Sequence, residues 1–418
     1  MYTLEKRLEN EHFIELKYKT VTKAGKTTII LCDNKNKDKS LDPKDVDFIK
    51  KLFGGEITKH KGEFTLKDEK EKKFKALFIQ YNTLRIWDES ECDIRKCNTI
   101  TGFLEKVNKL KKENPNYNVY FRGQLAYQPM LPSLFREDSW ILNEFNMNQY
   151  VISRHVEEFK DCQSTIEKMI KLKHYNQPSR LLDIVANPLM ALYFAAESSV
   201  ASNAWGIVAA IFSKPEKEKY AGKSETVLLL ANLSNVDFSQ YYQMGNDSNK
   251  LIKIQDPEKA NPFFAELGHQ CRIEIGIDGY FNNPPFSSQD KGNASSVQDN
   301  SQHTDENDLE KCVVVIPELN NPRIIQQQGL FILCGFSEEN ELSLPDSYFK
   351  FFKDSEEKNI YFIFHPKTMA KIKEQLDTYG INKSQVYFDL EKTIDYEKNR
   401  IIESYKKRQS ECLHEQKR

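Results

Sequence analysis

The first hundred residues contain a stretch in which hydrophobic and polar positions alternate with the two-residue period of a half-buried strand. The stretch FIELKYKTV (13–21) shows this alternation, and the KAG that separates it from KTTIIL (26–31) predicts a hairpin. DPKDVDFIKKLFGG (42–55) has an N-cap residue, an early proline and a terminal glycine pair, which together predict a short helix. FKALFIQYNTLRIW (74–87) predicts two strands joined by a turn. Residues 1–95 are therefore predicted to form a small N-terminal α+β module.

From Thr99 onward the pattern changes to amphipathic helices and buried strands. TITGFLEKVNKLKK (99–112) puts its apolar residues on one helical face, and residues 138–173 are predicted to be largely helical. Four apolar stretches are predicted to be strands: VYFRG (119–123), WGIVAAIF (205–212), ETVLLLANL (225–233) and QCRIEIGI (270–277).

The last third of the chain combines core-like sequence with polar segments. NIYFIFH (359–365) predicts a strand, and PKTMAKIKEQLDTYG (366–380) predicts a helix that ends at its glycine. Residues 285–311 have almost no large apolar side chains, so they are predicted to be a disordered insertion. We therefore expect an α+β protein, in which the N-terminal module precedes a core domain of mixed sheet and packed helices over 99–395. A polar tail is predicted over 396–418.

Composition adds bounds on partners and location. The 418 residues include 60 Lys and Arg against 62 Asp and Glu, a balance that favours neither nucleic acid nor an anionic membrane as partner. No apolar run approaches the roughly 20 residues needed to span a bilayer, and the charged N-terminus lacks the apolar segment of a signal peptide. The eight cysteines show no zinc-ligand spacing. We therefore expect free thiols, no metal site and a cytoplasmic location.

Arginine is scarce, since only 12 of the 60 basic residues are arginine. Its planar guanidinium binds carboxylates and phosphates through two parallel hydrogen bonds, which lysine cannot do. Five arginines lie beside glycine, proline or apolar runs, and these are Arg122, Arg136, Arg180, Arg272 and Arg323. Each is a candidate anion ligand, and structural ion pairs explain any one of them about equally well.

The most distinctive stretch is HYNQPSRLLDIVANPLMALYFAAES (174–198). Its second half predicts a buried helix with Asn187 as N-cap and Pro188 in the first turn. Its first half predicts a short buried strand, LLDIV, that carries one acid, Asp183. A buried carboxylate needs donors, so Asp183 is predicted either to have a functional role or to bind neighbouring backbone N–H groups, Arg180 or Arg122.

Four blocks of sequence together resemble the FRG domain, a family named for its Phe-Arg-Gly signature. The blocks are YFRGQ (120–124), LPSLFRE (131–137), HYNQPSRLLDIVANPLMALYFA (174–195) and RIIQQQGLFI (323–332). The resemblance covers about residues 100–390. It departs from the family's pattern at Lys173, Asn176 and Ser179, where glutamine, glycine and threonine are usual; Asn176 tolerates a positive φ and Ser179 keeps the hydroxyl.

The order of these blocks also resembles the ADP-ribosyltransferase arrangement, which implies an NAD substrate. In that arrangement an arginine on the first strand grips the phosphate or ribose of the dinucleotide, and a hydroxyl residue before the second strand orders the nicotinamide pocket. The resemblance thus implies that Arg122 binds the anion, that Gly123 lets backbone approach it, and that Ser179 supplies the hydroxyl. The full set of predicted binding residues is Arg122, Gly123, Gln124, His174, Tyr175, Ser179 and Arg180.

The arrangement also implies a late glutamate, which this chain does not place where it is expected. Gln328 stands there in QQQGLF, and a glutamine can hydrogen-bond a ribose but cannot act as a general base. Asp183, Glu274 and Glu266 are the other candidates for the acid. Arg122, Asp183 and Gln328 are the predicted catalytic residues.

Two other residues of the motif have structural alternatives to a role in binding. His174 has no visible metal-ligand partners, and a hydrogen bond to Asp183 or to a backbone carbonyl would account for it. Tyr175 could stack on a base or a nicotinamide ring, or belong to the buried core.

Two hypotheses of function follow from these residues. In the first, the protein is an enzyme or a degenerate enzyme that binds NAD or a related nucleotide through Arg122. An active enzyme would transfer ADP-ribose or cleave NAD, as toxins and phage-defence proteins do, and a degenerate one would bind the nucleotide without turning it over. In the second, the same fold is a non-catalytic module that binds a protein or a nucleic acid through residues 1–95. A surplus of 22 − 18 = 4 positive charges in the first hundred residues is weak support for the second.

Overall fold

The structure is a computed structural model. It describes residues 13–23, 26–32, 63–67, 73–80, 83–88, 92–126, 128–244, 251–253, 266–267, 269–271, 274, 309–318, 321–337, 344–387 and 391–402. The helix predicted over 42–55, Arg272 and most of the insertion predicted over 285–311 lie outside these residues. At the end of that predicted insertion, Leu309 is described and is buried.

The N-terminal strands form a five-stranded antiparallel sheet. They are β1 (Phe13–Lys23), β2 (Lys26–Cys32), β3 (Glu63–Lys67), β4 (Lys73–Gln80) and β5 (Thr83–Asp88), in the order β2-β1-β5-β4-β3. Strands β1 and β2 pair from Lys23↔Lys26 outward, and β4 pairs with β5. The hairpin and the strand pair predicted from the two-residue period are confirmed.

The remaining strands form a mixed eight-stranded sheet and a two-stranded one. They are β6 (Cys92–Lys96), β7 (Asn118–Leu125), β8 (Leu181–Val185), β9 (Gly206–Ser213), β10 (Glu218–Tyr220), β11 (Tyr242–Met244), β12 (Leu251–Lys253), β13 (Cys312–Ile316), β14 (Gly329–Cys334) and β15 (Asn359–Phe364). The large sheet has the order β10-β13-β14-β8-β7-β9-β15-β6, with parallel pairs only at its two ends. Strand β6 belongs to it, so the boundary predicted at residue 95 falls inside a strand of the core.

Helices pack on this sheet. Among the described residues they include α1 (Ile100–Glu113), α2 (Asp138–Leu142), α3 (Glu144–Arg154), α4 (Val156–Phe159), α5 (Thr165–His174), α6 (Pro188–Ser202), α7 (Glu225–Asn232), α8 (Pro322–Gln327), α9 (Asp346–Phe349), α10 (Pro366–Thr378) and α11 (Lys383–Tyr387). The Asn187 side chain caps α6 as predicted, and Gly380, with φ +80°, follows α10. The chain is an α+β protein with a mixed sheet at its core, as predicted.

Two of the predicted strands are wrong. ETVLLLANL forms helix α7, where the Ser224 hydroxyl accepts a hydrogen bond from Val227 N. Because this run is apolar throughout, its periodicity does not distinguish a buried strand from a buried helix, and the N-cap serine favours the helix. In QCRIEIGI, the described residues 270, 271 and 274 are helical rather than extended.

The alternation of side chains along β7 connects the two layers of the core. Phe121 belongs to a buried cluster with α1, α6 and α10, whereas Tyr120 belongs to a cluster on the opposite face with Phe351 and Phe352. Helix α6 is apolar almost all round because β7 covers one side of it and α10 another. This packing fixes α6 over the strand that carries Arg122.

Candidate functional site

A cleft opens where β7 and β8 part. In the described chain these strands pair at a single position, Phe121↔Val185, although β7 pairs with β9 along its whole length. Arg122 spans the gap, since its Nη1 donates a hydrogen bond to the backbone oxygen of Asp183 at 2.7 Å. The cleft has a volume of about 550 Å³, and β7, β8, β14 and α6 contribute to its lining.

The lining of this cleft is strongly positive. Four cationic side chains line it, and these are Arg122, Arg136, Lys173 and Arg323, whereas Asp183 is the one carboxylate among its described lining residues. The formal balance is 4 − 1 = +3. We call this space the cationic cleft.

A buried glutamine fixes the orientation of the Arg122 guanidinium. The Nε of Arg122 donates to Gln124 Oε1 at 2.9 Å, and Gln124 Nε2 donates in turn to the backbone oxygen of Gln128 at 2.7 Å. Gln124 is buried, and the Arg122 side chain is 16% exposed. The predicted site residues Arg122 and Gln124 thus act together, the second as a support for the first.

Asp183 is half exposed to the cationic cleft, with 53% of its side chain accessible, so the prediction that it is buried is wrong. Its Oδ2 lies 3.1 Å from Lys173 Nζ and 3.6 Å from Arg122 Nη1, which confirms the predicted ion pair with Arg122. Desolvation by its surroundings raises the pKa of Asp183, but Lys173 and Arg122 outweigh it and hold the pKa below its ordinary value. Asp183 is therefore ionised at neutral pH, and it can accept a hydrogen bond from a hydroxyl group or stabilise a positive charge.

Positive charges crowd one another in this cleft. Arg136 donates from Nε and Nη2 to the backbone oxygen of Leu131, which holds its guanidinium in place. Burial and the nearby charge of Arg122 lower the pKa of Arg136, and burial and Arg122 likewise lower the pKa of Lys173 although Asp183 opposes the shift. An anion in the cleft would relieve this repulsion.

His174 lies at the edge of the cationic cleft as a neutral ring. Its Nδ1 is 3.1 Å from Asn321 Nδ2, and the other amide atom of Asn321 accepts from Arg323 N. The amide nitrogen is therefore the donor, which leaves the imidazole proton on Nε2. Burial, followed by the charge of Arg323, lowers the pKa of His174 to about 4.

This depressed pKa predicts a pH-dependent stability that a His174→Gln variant lacks. The unfolded chain binds the proton near the ordinary value of 6.5, and the folded protein binds it only near 4. Between these values acid favours the unfolded state, so the contribution of His174 is present at about pH 7 and is lost as pH falls. The free energy of unfolding of the wild type minus that of the variant should shrink by up to about 3 kcal/mol from pH 7 to 4. Urea titrations at several pH values measure it; a constant difference would contradict the assignment.

Comparison with known protein families gives one match. Residues 117–204 match the family model of the FRG domain. This segment of the chain is similar to the FRG domain. The match runs from the start of β7 to the end of α6, and so it covers Arg122, Lys173 and Asp183 but is narrower than the resemblance predicted over 100–390. Neither the comparison with curated proteins nor that with solved structures found a match, and the resemblance to ADP-ribosyltransferases stays a prediction.

Two motif residues of the FRG domain lie away from the cationic cleft. The Arg180 side chain is fully buried and forms an ion pair with Glu144, with Nη2 2.7 Å from Oε2, while its guanidinium lies over the Phe238 ring. The Ser179 hydroxyl is also buried and accepts from Leu181 N at 3.2 Å. Neither side chain lines the cleft with Arg122, because both are used inside the fold.

Gly123 has a structural role in addition to the predicted one. A Cβ at this position would lie 1.6 Å from the backbone oxygen of Ala191 and 3.0 Å from Ala195 N. The space on this side of Gly123 is therefore filled by helix α6, and the glycine lets the helix approach β7 closely. Gly123 also lines the cationic cleft, and the approach of a ligand to its backbone stays a prediction.

The two remaining motif residues lie outside the lining of the cationic cleft. Gln328 is exposed and adopts φ 48° at the end of α8, where its backbone oxygen accepts from Ala186 N; its neighbour Gln327 lines the cleft instead. Tyr175 is 72% exposed, so a place in the buried core is excluded. The catalytic role of Gln328 stays a prediction.

The other candidate acids have structural partners. Glu274 accepts hydrogen bonds from the backbone N and hydroxyl of Thr165 at the start of α5, and Glu266 accepts from the Tyr241 hydroxyl. Neither lines the cleft, which leaves Asp183 as its acid. Sequence reasoning missed Lys173, which contacts Asp183 and stands where the FRG family usually has glutamine; this departure from the pattern was the available signal.

The described residues also bear on membranes and metals. None of their helices is both long and apolar enough to cross a bilayer. Within the same residues, His, Cys, Asp and Glu side chains form no group of three or more that could hold a metal ion, and the cysteines form no disulfide.

Proposed function

We propose that the cationic cleft of the FRG domain binds a phosphate-bearing nucleotide, and that NAD is the ligand class it fits best. The observation that carries this proposal is the set of four cationic side chains that face a single carboxylate in a space of about 550 Å³. A space of this size falls within the usual range for small-molecule sites.

The kind of cation favours phosphate over other anions. Three of the four are arginines, Arg122, Arg136 and Arg323, in a chain where lysine is the usual basic residue. Guanidinium groups bind phosphate oxygens in pairs, and a pyrophosphate spreads its charge over several oxygens that separate arginines can share. Burial, and after it the charge of Arg122, lowers the pKa of Arg136, and the repulsion between the two guanidinium groups is relieved when such a group binds.

We also propose that the bound dinucleotide is cleaved at its nicotinamide–ribose bond. As that bond breaks, nicotinamide leaves with the electron pair and positive charge develops on the ribosyl group, which an ionised carboxylate stabilises. Asp183 suits this role because Lys173 and Arg122 keep it ionised. Water or a protein side chain then attacks the ribosyl carbon, giving NAD cleavage or ADP-ribosyl transfer. A toxin or phage-defence role in the cytoplasm is the biological counterpart of this proposal.

Replacing Arg136 tests the binding step. Arg136→Gln removes the charge but keeps a polar side chain, and we expect the affinity for ADP-ribose to fall on the order of 10-fold or more, because charge-assisted bonds to phosphate are lost. Calorimetric titration with ADP-ribose and NAD measures this. Arg154→Gln is the matched control, since Arg154 stacks on Tyr150 at the surface, and it should leave affinity unchanged.

The outcomes separate the hypotheses. Wild-type protein that binds neither NAD, ADP-ribose nor pyrophosphate would reject the nucleotide proposal and favour the non-catalytic module that binds a macromolecular partner through residues 1–95. Binding without release of nicotinamide would retain the nucleotide site and reject cleavage. Thermal melts of Arg136→Gln show whether the loss of its bond to Leu131 affects folding instead.

A further inference from the structure

A second, larger cavity adjoins the cationic cleft. Its volume is about 1150 Å³, and the two spaces share five lining residues, which are His174, Asn176, Arg323, Ile324 and Tyr387. Because the same side chains face both spaces, the cleft and the cavity lie next to each other at these five residues.

The second cavity has the opposite charge. Apart from the shared Arg323, its described lining holds five acids and three lysines, a balance of 3 − 5 = −2. Two of these lysines already have acidic partners, since Lys171 pairs with Glu158 at 3.2 Å and Lys383 lies 4.0 Å from Asp395. We call this space the acidic cavity.

Glu197 is the acid of this cavity that lies at the junction with the cleft. The Tyr387 hydroxyl donates to Glu197 Oε2 at 2.6 Å, and the Tyr193 hydroxyl donates to Oε1 at 3.3 Å. Tyr387 lines both spaces. On α6, Phe194 lies about one turn before Glu197 and Ser198 follows it directly, and both line the cationic cleft. The two tyrosines hold the carboxylate in a fixed orientation, and each oxygen keeps capacity to accept another hydrogen bond.

We propose that the acidic cavity is the subsite for the positively charged end of the ligand whose phosphates occupy the cationic cleft, and that Glu197 recognises that end. The inference rests on the proposed function. In NAD the charged end is the nicotinamide ring, because the oxidised ring is a pyridinium; the ribose that carries it then stays in the cationic cleft beside Asp183. Adjoining spaces of opposite charge match a ligand that is anionic at its centre and cationic at one end.

Comparing the affinities for the oxidised and the reduced dinucleotide tests whether the acidic cavity recognises the charge of the nicotinamide ring. NADH has nearly the same shape and the same phosphates as NAD, but its ring is neutral. We expect the wild type to bind NAD about fivefold more tightly than NADH, as is typical of one partly exposed charge interaction. In Glu197→Gln, which keeps the shape and an acceptor for the tyrosines, the ratio should fall close to one while the affinity for ADP-ribose stays unchanged.

Calorimetric titrations with NAD, NADH and ADP-ribose measure the three dissociation constants. Glu157→Gln is the control, because Glu157 is an exposed acid outside both spaces. A wild type that does not prefer NAD to NADH overturns the inference without any variant. A Glu197→Gln protein that still prefers NAD to NADH also overturns the inference, and so does one that loses affinity for all three ligands alike. In each of these cases the proposed function stands if the wild type binds ADP-ribose. If the wild type binds none of the three ligands, the proposed function itself fails.

Discussion

Glu144→Leu is expected to lower the free energy of unfolding by about 3–5 kcal/mol, because it leaves a buried guanidinium without its carboxylate. Both partners are buried: Arg180 is 0% and Glu144 is 1% exposed, and Nε and Nη2 of the arginine each lie 2.7 Å from Glu144 Oε2. A leucine fills most of the volume of the glutamate but gives the charge no partner. Urea unfolding followed by circular dichroism measures the loss.

A double variant separates the charge effect from loss of packing. Glu144→Leu combined with Arg180→Met removes both charges, and its stability should return to within about 1 kcal/mol of the wild type or exceed it. Glu157→Leu is the surface control: its pair with Lys160 is exposed, and its loss should cost less than about 1 kcal/mol. If the single Glu144 variant is as stable as this control, the pair does not hold the core together.

The same double variant also tests where the ligand binds. Arg180 belongs to the sequence motif that resembles the FRG domain, but its side chain lies away from the cationic cleft. The double variant should therefore bind ADP-ribose as the wild type does. A folded double variant with greatly reduced affinity for ADP-ribose would show that Arg180 contributes to binding.

Gly123→Ala is expected to destabilise the protein by at least about 3 kcal/mol or to prevent folding, because the added Cβ would lie 1.6 Å from the backbone oxygen of Ala191. Backbone cannot rotate out of the way as a side chain can, so α6 would have to move away from β7. That movement would open the cluster that joins Phe121 to helices α6 and α10. Soluble yield, circular dichroism and urea unfolding measure the effect.

Gly329→Ala is the matched control for this substitution. Gly329 begins β14, and the nearest atom to an added Cβ there is 3.9 Å away, so the methyl group fits. Its stability should stay within about 1 kcal/mol of the wild type. A Gly123→Ala protein that unfolds at the same urea concentration as Gly329→Ala would contradict the packing of α6 on β7.

The parts of the fold that could be predicted from the sequence are those with local signals. The N-cap Asn187 and the proline that follows it predicted α6, and alternating residues predicted β1. The run at 225–233 was misassigned because it is apolar on every side, so no period was visible. Strand order could not be predicted, since the pairing of β8 with β7 and β14 depends on contacts between distant segments.

The candidate site could be predicted only in part for a related reason. The pair of Arg122 and Asp183 was among the alternatives that the sequence offered, because each is a charged residue within an apolar strand. Arg180, just before the second of these strands, was another alternative, but its partner Glu144 lies 36 positions earlier and nothing in the sequence marks it. Whether an arginine in a motif faces a ligand or the core depends on which carboxylate the fold brings to it.

The most direct test of the cationic cleft is a crystal structure of the protein with ADP-ribose bound. We expect phosphate oxygens within about 3 Å of the guanidinium of Arg122 or Arg136 and the ammonium of Lys173. We also expect the ribosyl end to point past His174 toward the acidic cavity. Phosphates bound elsewhere on the molecule, with the cleft between β7 and β8 empty at saturating ligand, would contradict a nucleotide site in the cationic cleft.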